Sequence, residues 1–135
     1  MAGLLLSHCG PDRSPDNMNQ IRWLRILAGG FLSELAVFAV FIPATILLGQ
    51  GPAMYVAVAG SLVMPFLFGI WTARKAEAYP VFHGSMVGVI GILIYIGLTR
   101  GAPEPALYVF AHFLKLLGGA AGGYVGQRRP AVLTV

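Results

Sequence analysis

The sequence predicts an all-α membrane protein with four transmembrane helices, and three observations lead to that prediction. Of its 135 residues, 57% are hydrophobic and only 10% are charged, whereas charged residues make up about a quarter of a soluble domain. The apolar residues form uninterrupted blocks instead of the periodic stripe of a soluble helix. Four such blocks are present, each near the ~20 residues that cross a hydrocarbon core about 30 Å thick. We therefore expect the lipid bilayer to surround this chain.

The four blocks cover residues 26–48, 53–71, 81–99 and 106–126. Helices are expected because lipid leaves each backbone N–H and C=O to be satisfied within its own segment. The short links between blocks make consecutive helices antiparallel neighbours. Pro52 and Pro105 each stand just before a block, where proline fits the first helical turn.

The segments that flank these blocks are more polar. Residues 1–20 contain Pro11 and Pro15, and we expect them to be disordered. The transmembrane domain then covers residues 21–129, and residues 130–135 form a short cytoplasmic tail. Met18, which is followed by Arg22 and Trp23, is an alternative start to Met1.

Positive charges at the block ends predict that both termini face the cytoplasm (N-in/C-in). Seven of the nine Lys and Arg residues fall on one side and only Arg100 on the other: Arg13, Arg22, Arg25, Arg74, Lys75, Arg128 and Arg129 lie on the predicted inner side. Cytoplasmic flanks are enriched in such residues. We expect a multi-pass protein of the bacterial cytoplasmic (inner) membrane. The net charge of +4 therefore indicates orientation, and no nucleic-acid partner is expected.

A shift of 53 positions aligns parts of the two halves of the chain, as an internal repeat would. It brings the run from Pro52 to Val56 onto the run from Pro105 to Val109, and Gly69 onto Gly122. Each half would be one helical hairpin, so the two tandem hairpins would form a parallel repeat. The alternative is that any two outside-to-inside helices share proline starts, aromatic anchors and basic ends.

Glu34 and Lys115 are the two charged residues inside the blocks. Each lies eleven residues from the expected cytoplasmic end of its helix, counted from Trp23 and Gly126, which is about 16 Å of helix. Equal depth predicts an ion pair near the midplane, and His112 lies one turn from Lys115 on the same face. Three roles stay open for this intramembrane polar site: a pair that fixes helix packing or a partner interface, a proton or ion relay, and a ligand contact. His83 is expected near the membrane interface.

Glycines spaced four apart predict close helix packing. The fourth block contains Gly118 and Gly122, and also Gly119 and Gly123, while the third contains Gly84 and Gly88. Such spacings let two backbones approach where no hydrophobic effect drives association. Packing within the monomer and a homo-oligomer interface are both compatible with this pattern.

No arrangement of side chains indicates catalysis, so we expect no catalytic residues, no cofactor and no metal. Ser33 has no histidine partner within sequence reach, and Glu34 has no second acidic residue in its block. Cys9 is the one cysteine, and no Cys/His cluster has metal-site spacing. The chain is therefore not expected to be an enzyme.

The run Gly29-Gly30-Phe31-Leu32-Ser33-Glu34 resembles the small multidrug resistance transporters. These are also four-helix proteins of this size, with a functional glutamate in the first helix after a glycine pair. The resemblance implies that Glu34 carries that role. Lys115 departs from the family pattern, as do the strong charge bias and the absence of the family's later aromatic signatures.

Two functional hypotheses follow. The first is a non-enzymatic membrane protein whose Glu34–Lys115 pair, with His112, fixes helix packing or the interface with a membrane partner protein. The second is a small proton-coupled transporter or channel-like protein that uses the same three residues. A transporter requires a cavity that reaches Glu34, whereas a structural pair is enclosed by side chains.

Overall fold

The computed structural model describes residues 22–76, 78–103 and 105–127. Within these residues the chain forms four helices: α1 (Trp23–Leu48), α2 (Gln50–Ala73), α3 (Pro80–Thr99) and α4 (Ala106–Gly126). All four are long and apolar enough to cross a membrane. The predictions for residues 1–20 and 130–135 concern segments outside the described residues.

The helix bounds agree closely with the four predicted blocks, with one correction at the first connection. The sequence suggested a four-residue link from Gly49 to Pro52, but Gly49 alone separates α1 from α2. Gly49 has φ +80° and ψ 171°, a conformation that is essentially limited to glycine. Pro52 consequently lies inside the first turn of α2, where it removes no helical hydrogen bond.

Consecutive helices run antiparallel. The N-terminal ends of α1 and α3 therefore lie at the same end of the bundle as the C-terminal ends of α2 and α4. At this end, which we call the Trp23 end, the backbone N–H of Arg22 donates to His83 Nε2 at 3.4 Å. Gly126 packs against Ala73 at the same end. The opposite end, which we call the Thr99 end, contains the end of α3 and the start of α4.

The cross-section of the bundle is a rhombus. α1 packs on α2 and α3, and α4 packs on the same two helices, with the α2–α4 interface the most extensive. α2 and α3 also touch across the short diagonal, whereas no Cα atom of α1 comes within 8 Å of one in α4. α1 and α4 therefore face each other across the long diagonal.

In the half of the bundle nearer the Trp23 end, glycines let the helices pack closely. A Cβ atom on Gly118 or Gly122 would collide with backbone of α2, at Leu62 and Phe66 respectively. A Cβ atom on Gly119 or Gly123 would collide with backbone of α3, at Gly84 and Pro80. The first pair thus faces α2 and the second faces α3, so both pairs lie at helix contacts within the monomer.

Candidate functional site

Glu34 and Lys115 form an ion pair in the centre of the bundle. Lys115 Nζ donates to both carboxylate oxygens of Glu34, each at 2.8 Å. Both residues are only 2% exposed. The ion pair expected from equal depth is thus present, and both carboxylate oxygens accept hydrogen bonds from the same ammonium group.

This pair spans the long diagonal of the bundle. Glu34 comes from α1 and Lys115 from α4, the two helices whose backbones stay apart. The length of the lysine side chain covers a gap that backbone packing leaves open. The side chains of the pair therefore supply a direct link between α1 and α4.

Gly91 of α3 provides the space in which the two side chains meet. A Cβ atom at this position would lie 3.1 Å from Glu34 Oε2 and 4.0 Å from Lys115 Cδ. On the same face of α3, Gly88 packs against the backbone carbonyl of Lys115. The glycine stripe of α3 thus both positions α4 and leaves room for the carboxylate.

Tyr95, one helical turn beyond Gly91, is the centre of an aromatic cluster beside the pair. Its ring centroid lies 5.1 Å from Lys115 Nζ, within the range of a cation–π contact. The ring also stacks with Phe38 at 6.5 Å and Tyr108 at 6.2 Å, and it meets His112 edge-on at 4.9 Å. Lys115 is therefore held by a carboxylate and by the face of an aromatic ring.

His112 lies beside the pair, on the side toward the Thr99 end. It is half-buried and contacts the Tyr95 ring. The predicted neighbourhood of Glu34, His112 and Lys115 is present in the structure, and the three side chains line one cavity.

The cavity has a volume of about 280 Å³ and extends from the ion pair toward the Thr99 end. Its walls include four aromatic side chains, contributed by Phe38, Phe41, Tyr95 and Tyr108. The ion pair, His112 and Ser61 supply polar groups. Small-molecule sites have this composition, an apolar wall with a few convergent polar groups.

His83 is completely buried at the start of α3 and lies apart from this cavity. Its Nδ1 donates to the carbonyl oxygen of Tyr79 at 2.9 Å, while Nε2 accepts the N–H of Arg22. The ring thus links the start of α1 to the start of α3. His83 acts inside the protein as a connector of two helices.

Sequence reasoning missed Gly91 and Tyr95. A signal was present, because Gly84, Gly88, Gly91 and Tyr95 follow one another at spacings of four, three and four, which keeps them on one helix face. Tyr95 also lies inside an apolar block, and its phenol is a polar group that a lipid-facing position would leave without a partner.

Fold and site together define a bundle of four apolar helices with a buried ion pair and, on its side toward the Thr99 end, an aromatic cavity. Among the described residues, no group of three or more His, Cys, Asp or Glu side chains is placed to hold a metal ion. No protein-family model matches the chain, and neither the curated proteins nor the solved structures contain a significant match. The resemblance to small multidrug resistance transporters therefore stays limited to the run that ends at Glu34.

Proposed function

We propose that the protein is a non-enzymatic, multi-pass protein of the bacterial cytoplasmic membrane in which the Glu34–Lys115 pair fixes helix packing. One observation carries this proposal. The pair joins the two helices whose Cα atoms all stay more than 8 Å apart, through two hydrogen bonds of 2.8 Å at nearly complete burial. A link of this kind sets the separation and register of α1 and α4, and with them the outer surface offered to a partner protein in the membrane.

The energetics of a buried pair give the proposal its test. Removing one member strands the other charge in a low dielectric and costs about 3–5 kcal/mol, whereas replacing both by apolar side chains of similar volume is often neutral. Glu34→Leu and Lys115→Met should each lower the free energy of unfolding in detergent. The double variant should recover most of that loss.

A control cycle shows whether the coupling is specific to the pair. Thr72 is fully buried and donates to the Phe68 carbonyl oxygen within its own helix, so Thr72→Val should be additive with Lys115→Met to within about 0.5 kcal/mol. A double variant Glu34→Leu/Lys115→Met that is no more stable than the worse single variant would contradict the proposed role.

We place the Trp23 end in the cytoplasm, so the protein is N-in/C-in. The bias of seven basic residues to one supports this orientation. Trp23 and Trp71 are half-exposed at that end, as expected of side chains in an aromatic belt.

We also propose that the two hairpins descend from a duplication. Gly69 and Gly122, which the shift of 53 positions aligns, face each other across the α2–α4 interface: a Cβ atom on Gly69 would lie 3.4 Å from Gly122 Cα. Equivalent residues meet in this way at the axis of a parallel repeat. Glu34 and Lys115 have no charged counterparts under that shift. Each charge therefore arose after the duplication, Glu34 in the first hairpin and Lys115 in the second.

The cavity favours a second candidate, a small proton-coupled transporter. It brings Glu34, Lys115 and His112 to the wall of a space that reaches toward one end of the bundle. In such a transporter the carboxylate would exchange Lys115 for a proton or a substrate group, which an apolar residue cannot do.

Liposomes loaded with a pH-sensitive dye separate the two candidates. Under an imposed pH gradient, a relay predicts proton flux in the parent protein that disappears in the folded Glu34→Leu/Lys115→Met variant. If the pair is structural, the parent and the double variant should show the same low proton flux. The double variant should then also keep the parent's activity in the cell.

A further inference from the structure

A groove runs along the outside of the bundle between α1 and α2, starting at the Trp23 end. Its first part is lined by Arg22, Trp23, Leu24, Arg25, Ala28 and Trp71. Its second part is lined by Leu32, Leu67, Phe68 and Trp71. Trp71 lines both parts, so the two parts adjoin at its side chain, and the lining is basic in the first part and mainly apolar in the second.

Arg25 is the residue in this groove that indicates a ligand, because one donor of its charged group is unpaired in the described part of the chain. Its guanidinium carbon lies 4.9 Å from the centroid of the Trp71 ring. Its Nη1 is buried and has no hydrogen-bond partner among the described residues. Glu34, the one acidic side chain in the described part of the chain, is occupied by Lys115. A charged group that is partly buried without a partner is costly, and Arg25 as a whole is only half-buried and lines the groove, so an anion in the groove could meet the accessible part of the guanidinium and offset that cost.

We propose that this groove binds one anionic phospholipid, with the phosphate at Arg25 and an acyl chain along Leu32 and Leu67. Arg25 and Leu32 are seven residues apart on α1, which is about 10 Å along the helix. The distance between the charged and the apolar parts of the groove therefore matches the distance between a phospholipid headgroup and the first segment of its acyl chain.

The chemistry of each part favours a lipid over a soluble anion. A guanidinium presents a planar fork of donors that matches phosphate oxygens, and it remains charged while stacked on an aromatic ring. Leu67 is 51% exposed and Trp71 45% exposed on the outside of the bundle, where an acyl chain has lateral access. Basic pockets between helices on the cytoplasmic side are suited to anionic headgroups, which agrees with the orientation proposed above.

Native mass spectrometry of the detergent-purified protein, titrated with phosphatidylglycerol or phosphatidylcholine, tests the proposal. The parent should retain one phosphatidylglycerol saturably and bind phosphatidylcholine much more weakly. Arg25→Gln should weaken phosphatidylglycerol binding roughly tenfold or more, since hydrogen bonds to a charged group are lost. Arg25→Lys should lie between the two, because it keeps the charge but not the stacked fork.

Arg74→Gln is the matched control. Arg74 lies at the same end of the bundle and is exposed, but it does not line the groove, so its loss changes the net charge equally and should leave binding intact. Equal weakening by Arg25→Gln and Arg74→Gln would overturn the proposal in favour of general surface charge. Equal binding of the two lipids would overturn it as well. If Arg25→Gln does not fold, Arg25→Lys compared with Arg74→Lys decides the matter in the same way.

Excess inorganic phosphate separates the lipid from a free anion. It should not displace phosphatidylglycerol, because it lacks the chain that contacts Leu32 and Leu67. Displacement would show that the groove recognises phosphate alone, and the assignment to a lipid would be wrong.

Discussion

Gly84 of α3 and Gly119 of α4 lie backbone against backbone, so closely that a Cβ atom on either would collide with the carbonyl oxygen of the other. Gly119→Ala should therefore lower the free energy of unfolding by about 1–3 kcal/mol, the cost of overpacking a tight contact. Melting in detergent measures the effect. Gly97→Ala is the control, because nothing lies within 4 Å of a Cβ at that position. If both variants melt alike, α3 and α4 do not pack at this distance.

Gly91→Ala should weaken the ion pair without removing either partner. The added methyl group would lie 3.1 Å from Glu34 Oε2, so the carboxylate has to shift and one of its two hydrogen bonds is strained. We expect a loss of about 1 kcal/mol in the free energy of unfolding. In the Glu34→Leu background the same substitution should have a different effect, because the oxygen it meets is gone. Identical losses in both backgrounds would show that Gly91 acts independently of the pair.

Gly49→Ala should destabilise the α1–α2 hairpin through backbone strain alone. Nothing lies within 4 Å of a Cβ atom there, but φ is +80°, and a residue other than glycine in this region costs about 1–3 kcal/mol. Gly51→Ala is the matched comparison, since it has the same open space but lies within α2. Detergent melting should rank Gly49→Ala below the parent and Gly51→Ala equal to it or above. The reverse order would mean that the chain turns elsewhere.

The orientation can be checked with single cysteines in a background that lacks Cys9. Cysteines at Gly51 and Ala102 should react with an impermeant thiol reagent added to intact cells, whereas one at Gln127 should react only after permeabilisation. All three positions are exposed, so the absence of labelling at any of them is informative. Ala76, at the same end as Gln127, is only 8% exposed and would stay unlabelled on either side of the membrane. Labelling of Gln127 alone in intact cells would reverse the proposed topology.

The helices and the ion pair could be predicted because both depend on depth along the membrane normal. Long apolar blocks mark the spans, and counting residues from the basic ends gives Glu34 and Lys115 the same depth. The prediction did less well at the polar ends of the spans. Gln50 and Gly51 belong to α2, because Gly49 alone makes the turn and a polar residue such as Gln is a good helix former.

Rotation about each helix axis was harder to predict. A protein interior and lipid are equally apolar, so hydrophobicity does not distinguish the inner from the outer face of a membrane helix, and small residues are the remaining marker. The glycines of α4 were recognised on that basis. Gly91, Tyr95 and the long α1–α4 diagonal were not, since they depend on which helices become neighbours. The cavity follows from that same rhombic arrangement.

The ion pair also has a consequence for biosynthesis. Its two members are 81 positions apart in the chain, so a ribosome working at about 5–20 residues per second takes roughly 4–16 s to make the lysine after the glutamate. When helices enter the bilayer in order of synthesis, α1 arrives with a carboxyl group that has no counter-charge. The single-residue turn at Gly49 lets α2 follow it at once as a hairpin. Insertion of the fourth helix is then the step that completes the centre of the molecule, and a truncated chain that ends before α4 should be a preferred target for membrane proteases.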